Sequence, residues 1–140
     1  MYTVLMPVKT KDGLEAANYV RELPDSSETV EVVVINVFER FEAADEAGEI
    51  PLEELFEDSN APDGVVEAAR ILTEADIDVT VRRERGDPID EILRVADEIN
   101  ADTIAMAGPK RSATGKLVFG SIIQGVLLNA ERPVTVLRRE

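Results

Sequence analysis

Gly108 ends an apolar run, Thr103 to Ala107, and opens a basic stretch that closes on Gly120-Ser121. Lys110, Arg111, Gly115 and Lys116 stand between them. A helical pattern follows from Ser121 to Ala130, and then a second short apolar run, Val134 to Leu137. The order is strand, loop, helix, strand. A loop of this kind can hold an anion, through its backbone N–H groups and the positive end of the helix it opens onto. Gly108, Gly120 and Ser121 would supply amides, Ser121 also a hydroxyl, and Lys110 and Arg111 charge. From Gly108 to Glu140 six basic residues face two acidic ones, a net of +4, in a chain whose total is −14. The competing reading is structural: Gly120-Ser121 caps a helix, Gly108 ends a strand, and the basic residues pair with acidic neighbours.

Other chemistries find less support. The chain has no Cys and no His, which removes disulfides, thiolate ligands and the commonest general base. No nucleophile stands beside a base, so no catalytic residue is assigned; slow ATP hydrolysis is the most that an enzymatic reading would ask. Gly115-Lys116 sits like the end of G-x4-G-K-[S/T], but Lys110 occupies the first Gly position and Leu117 the hydroxyl position. That excludes a phosphate-binding loop of this type. The acidic pairs Glu53-Glu54, Glu57-Asp58 and Asp90-Glu91 read as solvated helix faces, and no metal site is assigned.

The elements that position the loop follow from periodicity. Tyr2 to Val8 and Thr29 to Phe38 are near-continuous apolar runs, as strands covered on both faces require. Leu14, Ala17, Val20 and Leu23 recur at helical spacing over Asp12 to Leu23. Pro24 to Ser27 is turn chemistry. Asp63 to Ala75 and Asp87 to Ile99 are helical, the second capped by Asp87 with Pro88 at its first position. Val79 to Val81, running toward Glu84, makes a third strand. The helix from Ser121 is expected to bury Ile122, Ile123, Val126, Leu127 and Ala130. Glu39 to Asp63 carries ten acidic residues against Arg40 alone. It reads as a long acidic excursion with a short helix near Pro51 to Phe56, serving as a lid, a partner surface or a solvated loop. Strands alternating with helices imply one α/β domain over residues 1–140, a five-stranded parallel sheet of order 3-2-1-4-5 with helices on both faces. Ligands in such sheets bind at the carboxyl ends of strands, where the order reverses. The loops after Val8 and Ala107 then face each other.

At 140 residues and 44% hydrophobic, the chain can build a core. No apolar run reaches the ~20 residues of a membrane span. MYTVLMPV lacks the charged flank and cleavage site of a signal peptide. The expected location is the cytoplasm. The overall acidity opposes contact with nucleic acid and anionic membranes. Only four of the 15 basic residues are Lys. High acidity with little Lys fits a protein working in concentrated salt, where screening weakens self-repulsion. Unfolding measured against KCl is expected to show stability rising toward molar salt; a flat profile would remove the halophilic reading.

VLMPV at the start, VVVINV, GDPIDEILRVADEINADTIAMAG and the closing FGSIIQGVLLNAERPVTVLR together resemble the universal stress protein family, over nearly the whole chain. The resemblance implies a Rossmann-like α/β fold of the adenine nucleotide α-hydrolase-like type. It also implies a homodimer formed through the last strand and, in one subgroup, ATP binding. That subgroup carries G-x2-G-x9-G-[S/T]. Gly108 matches the first glycine and Gly120-Ser121 the last pair. Arg111 stands where the middle glycine belongs, and the interval is one residue short. The acidic residue of the family's V-P-V-D is Lys9 here. Val8 and Val37 would line a base pocket, Ile122 would follow Ser121 at the phosphate end, and Lys9, Lys110 and Arg111 make the mouth anion-seeking. The expected ligand is ATP or another adenine nucleotide, with Mg only as its companion. The alternative is a dimeric interaction module that binds no nucleotide and meets protein partners through the acidic excursion.

Overall fold

The computed structural model describes residues 1–9, 14–38, 47–108, 110–111 and 113–138. Five strands run parallel: β1 (Tyr2–Pro7), β2 (Val30–Phe38), β4 (Asp78–Arg85), β5 (Thr103–Ala107) and β8 (Val134–Leu137). Their order, β4-β2-β1-β5-β8, is the expected 3-2-1-4-5. A sixth strand, β3 (Gly48–Ile50), adds antiparallel to the outer edge of β4. It comes from within the acidic excursion and was not expected. Gly48 takes φ 117° there, a conformation that only glycine adopts without strain. Glu49 then lies opposite Arg82, an opposite-charge pair that favours this register. Residues 39–46 of the excursion lie outside the described residues.

Alternation along the strands builds two cores, one per face. Val4, Met6, Val8, Val32 and Val34 face α1 (Leu14–Arg21) and α4 (Asp63–Glu74), which present Ala16, Ala17, Val20, Ala68, Ala69 and Leu72. Leu5, Ile35, Ile104 and Met106 face α5 (Pro88–Glu98) and α6 (Ser121–Asn129), which present Ile92, Val95, Ile123 and Val126. The Asp12 cap expected for α1 lies outside the described residues. The turn expected at Pro24 to Ser27 is present at Pro24-Asp25 and runs directly into a single helical turn, α2 (Ser26–Thr29). A short helix, α3 (Leu52–Glu57), follows Pro51 as expected. The Asp87 side chain accepts the Asp90 N–H at 3.0 Å, and Pro88 opens α5. Asn100 and Asp76 turn the chain out of α5 and α4 with left-handed φ of 51° and 59°, as short polar side chains tolerate.

Helix α6 departs from its expected packing. Ile123 and Val126 are buried, but Leu127 is 43% and Leu128 82% exposed. Only one stripe of α6 meets β5, β8 and α5. The next hundred degrees of helix carry Leu127 past that contact.

Candidate functional site

The switch point lies between β1 and β5, where the crossover leaving β1 leads to α1 on one face and that leaving β5 leads to α6 on the other. The chain past β1 is held firmly. The Val8 N–H donates to the Ile35 carbonyl at 2.9 Å. Asn36 of β2 donates through Nδ2 to the carbonyls of Val8 at 3.0 Å and Lys9 at 3.2 Å. Asn36 is 6% exposed. One buried amide thus fixes the backbone at the mouth of the crevice while Lys9 itself is exposed. Asn36 was not singled out from sequence, although a polar residue inside VVVINVF was a signal, since a buried side-chain amide must find partners.

Val8 and Val37 do not share a wall. Val8 is 3% exposed and packs in the α1/α4 core, whereas Val37 packs against the α5/α6 core on the opposite face. Both lie at the carboxyl end of the sheet, Val8 buried in one layer and Val37 half-buried against the other. Strand alternation explains it: the registers of Val8 and Val37 differ in parity.

Gly108 is explained by packing. Its N–H donates to the Leu137 carbonyl at 2.5 Å. A Cβ at Gly108 would lie 2.2 Å from Val136 Cγ1 and 3.1 Å from the Leu137 oxygen. The residue is glycine because β8 crosses against it, and its amide donor serves the sheet. Gly120 is different. It is exposed, extended at φ −71° and ψ 163°, and has nothing within 4 Å of a would-be Cβ. It immediately precedes α6, whose start has no side-chain cap. Ser121 is exposed and Ile122 half-buried in that first turn. A nine-residue helix beginning without a cap leaves its amino end open to an anion.

The loop between the two glycines is folded as a hairpin. β6 (Lys110–Arg111) pairs antiparallel with β7 (Leu117–Val118), and Gly115 takes φ 84° between them. The backbone of Lys110 and Arg111 therefore stands on a defined ribbon between β5 and α6; the roles assigned to their charged groups lie outside the described atoms. Val118 and Phe119, where the hairpin returns to α6, are exposed. Among the described residues no group of three or more acidic side chains is placed to hold a metal ion, and no helix is long and apolar enough to cross a membrane.

A charged network supports β4 from the α5 side. Glu84, 7% exposed, accepts from Arg82 at 3.1 Å and from Arg94 at 2.9 Å. Arg82 also pairs with Glu98, and Arg94 with Glu91 and Glu98. The hydrogen bond from Arg82, and then its charge, hold the Glu98 carboxyl below the usual carboxylate range. This lattice is structural: it ties β4 to α5 below the crevice.

The chain matches the model of the universal stress protein family over residues 1–138. It is 28% identical over 74 residues to the stress response protein NhaX of Bacillus subtilis (strain 168), a match spanning 53% of this chain and 45% of that protein. Among solved structures, a universal stress protein from Archaeoglobus fulgidus is 26% identical with a TM-score of 0.70, covering 97% of this chain and 98% of that one. A family member from Arabidopsis thaliana, solved with AMP bound, is 16% identical with a TM-score of 0.65, covering 100% of this chain and 93% of the other. The last likeness is one of fold.

Proposed function

Because the chain belongs to the universal stress protein family, we propose that it is a stress-response protein that binds an adenine nucleotide at the crevice between the β1 and β5 loops. The observation that carries this reading is the uncapped amino end of α6, directly after a loop bearing Lys110, Arg111 and Lys116 at the sheet's order reversal. The AMP-bound relative of the same fold supports it. The phosphates sit at the amides of Gly120, Ser121 and Ile122, with the Ser121 hydroxyl beside them. Lys110 and Arg111 neutralise charge, and Mg enters only with the nucleotide. Gly108 contributes by letting β8 close against β5, not by donating to the ligand. Lys9, in place of an acidic residue, shifts selectivity from the nucleoside toward the phosphates. Calorimetry is expected to show affinity rising from AMP to ADP to ATP and weakening as KCl is raised. Absence of binding at millimolar nucleotide would overturn the proposal.

A second reading concerns assembly. β8 ends the sheet order, and Leu128 stands 82% exposed on the adjoining helix. An open edge beside an apolar side chain favours a homodimer paired across β8. Sedimentation should give a dimeric mass, and Leu128→Glu should weaken the dimer at least ~10-fold, about 1.4 kcal/mol. A wild-type monomer at all concentrations would exclude it.

A further inference from the structure

Helix α6 carries a glycine at its midpoint. Gly125 is the fifth of the nine residues Ser121–Asn129. Glycine is the poorest helix former after proline, so it weakens a helix that already starts without a side-chain cap. The neighbouring helix explains its presence. A Cβ at Gly125 would stand 2.2 Å from Ile89 Cδ1, 2.8 Å from Cγ1 and 3.3 Å from Cγ2. Ile89 is the second residue of α5, and its side chain lies on the bare backbone of α6. Turning χ2 would carry Cδ1 away but leave Cγ1, whose place is set by χ1. A β-branched residue in a helix has one strongly preferred χ1. The backbone under Ile89 is fixed as well, by the Asp87 cap and by Pro88 at the start of α5. A side chain at position 125 therefore pushes α6 away from α5.

This seat adjoins the amino end of α6. Ser121 and Ile122 precede Gly125 by four and three residues, so they stand one turn earlier on the same helix face. Ile123 and Val126 bury against the core beneath, while Gly125 is where the α6 backbone itself meets an α5 side chain. On the β1 side of the crevice, Asn36 pins the backbone of Val8 and Lys9. A displaced α6 thus changes the spacing between the two sides.

We propose that Gly125 is a positioning residue for the nucleotide site, an inference that rests on the function proposed for the crevice. Its missing side chain seats α6 on Ile89, and that seat sets where the amides of Ser121 and Ile122 stand. Gly125 itself touches no ligand; it acts through the first turn of α6.

The test pairs ATP calorimetry with urea unfolding of the full chain. Gly125→Ala should weaken ATP binding at least ~10-fold, a coupling of the size that contacting residues show. Gly125→Ala/Ile89→Ala removes all three colliding carbons. It should recover affinity to within about threefold of wild type, yet unfold at lower urea because apolar contacts are lost. Affinity regained at reduced stability marks positioning, since a merely structural glycine would lose both together. Gly125→Ala/Ile89→Val keeps carbons in the places of Cγ1 and Cγ2. It should bind ATP less tightly than the Ile89→Ala double although it buries more, and this comparison decides the matter where Gly125→Ala alone does not fold. Wild-type affinity in folded Gly125→Ala overturns the proposal. So does an Ile89→Ala double that stays weak, or an Ile89→Val double that binds as tightly as it. Failure of the wild type itself to bind ATP overturns the function proposed for the crevice, and this inference with it.

Discussion

Replacing Glu84 with leucine is expected to destabilise the chain by about 3 kcal/mol, read as a lower denaturant midpoint at unchanged slope. Glu84 has a side chain 9% exposed between Arg82 at 17% and Arg94 at 46%. Loss of the carboxylate leaves Arg82 in a largely dry layer with a weaker answer from Glu98, itself at the solvent edge. The bond to the more exposed Arg94 contributes little of the total, because solvent screens it. The cost comes from the weakly answered buried charge more than from the pair. Glu84→Leu/Arg82→Leu should therefore be more stable than Glu84→Leu alone, as an apolar pair replaces an ionic one. A double variant worse than the single would place the energy in the ion pair itself and defeat this account. The outer part of the lattice behaves differently with pH. Glu98 has its folded-state pKa lowered by Arg82, so its contribution is present above the ordinary carboxylate range and fades as pH falls through the lowered value. Glu98→Gln should flatten that acid limb without touching the Glu84 effect at neutral pH.

This network also shows where reading the chain stops. Arg82-Arg83-Glu84-Arg85 looks like a solvated run, and periodicity gives no reason to bury Glu84. Its burial depends on Arg94, ten residues on in α5, reaching back over β4, a contact that exists only once the crossover is folded. Elements fixed by local pattern were legible. β1, β2 and β5 are near-continuous apolar runs because both faces are covered, whereas β4 showed only its first half, Val79 to Val81. Asp87-Pro88 marks the start of α5 because cap and first-turn preferences act within four residues. β3 and the β6–β7 hairpin were not legible, since strands of three and two residues exist through their partners and not through their own composition. The candidate site divides in the same way. The amino end of α6 was announced by Gly120-Ser121. The anchoring role of Asn36 and the separation of Val8 from Val37 required the register between strands.

Gly108→Ala is the substitution that separates scaffold from ligand site, and it is expected to cost about 2–3 kcal/mol. The added methyl would stand 2.2 Å from Val136 Cγ1. Valine is branched at Cβ and has few rotamers to offer, and the Leu137 carbonyl at 3.1 Å is backbone and part of the ladder. Neither neighbour can step aside without moving β8. Val136→Ala in the same chain removes the colliding methyls, so the double variant should fall short of the summed single costs by at least about 1 kcal/mol. Gly120→Ala, entering open space, should change stability by less than about 0.5 kcal/mol. Nucleotide titration then reads the two glycines in opposite senses. Gly108→Ala, assayed where it is folded, should keep its affinity within about threefold, because its amide already serves Leu137. A bulkier Gly120→Val, equally uncrowded in the free protein, should weaken binding at least ~10-fold by covering the α6 amides, about 1.4 kcal/mol. Were Gly108→Ala fully stable yet unable to bind, its amide would belong to the ligand, and the hydrogen bond to β8 could not be what keeps a glycine at the end of β5.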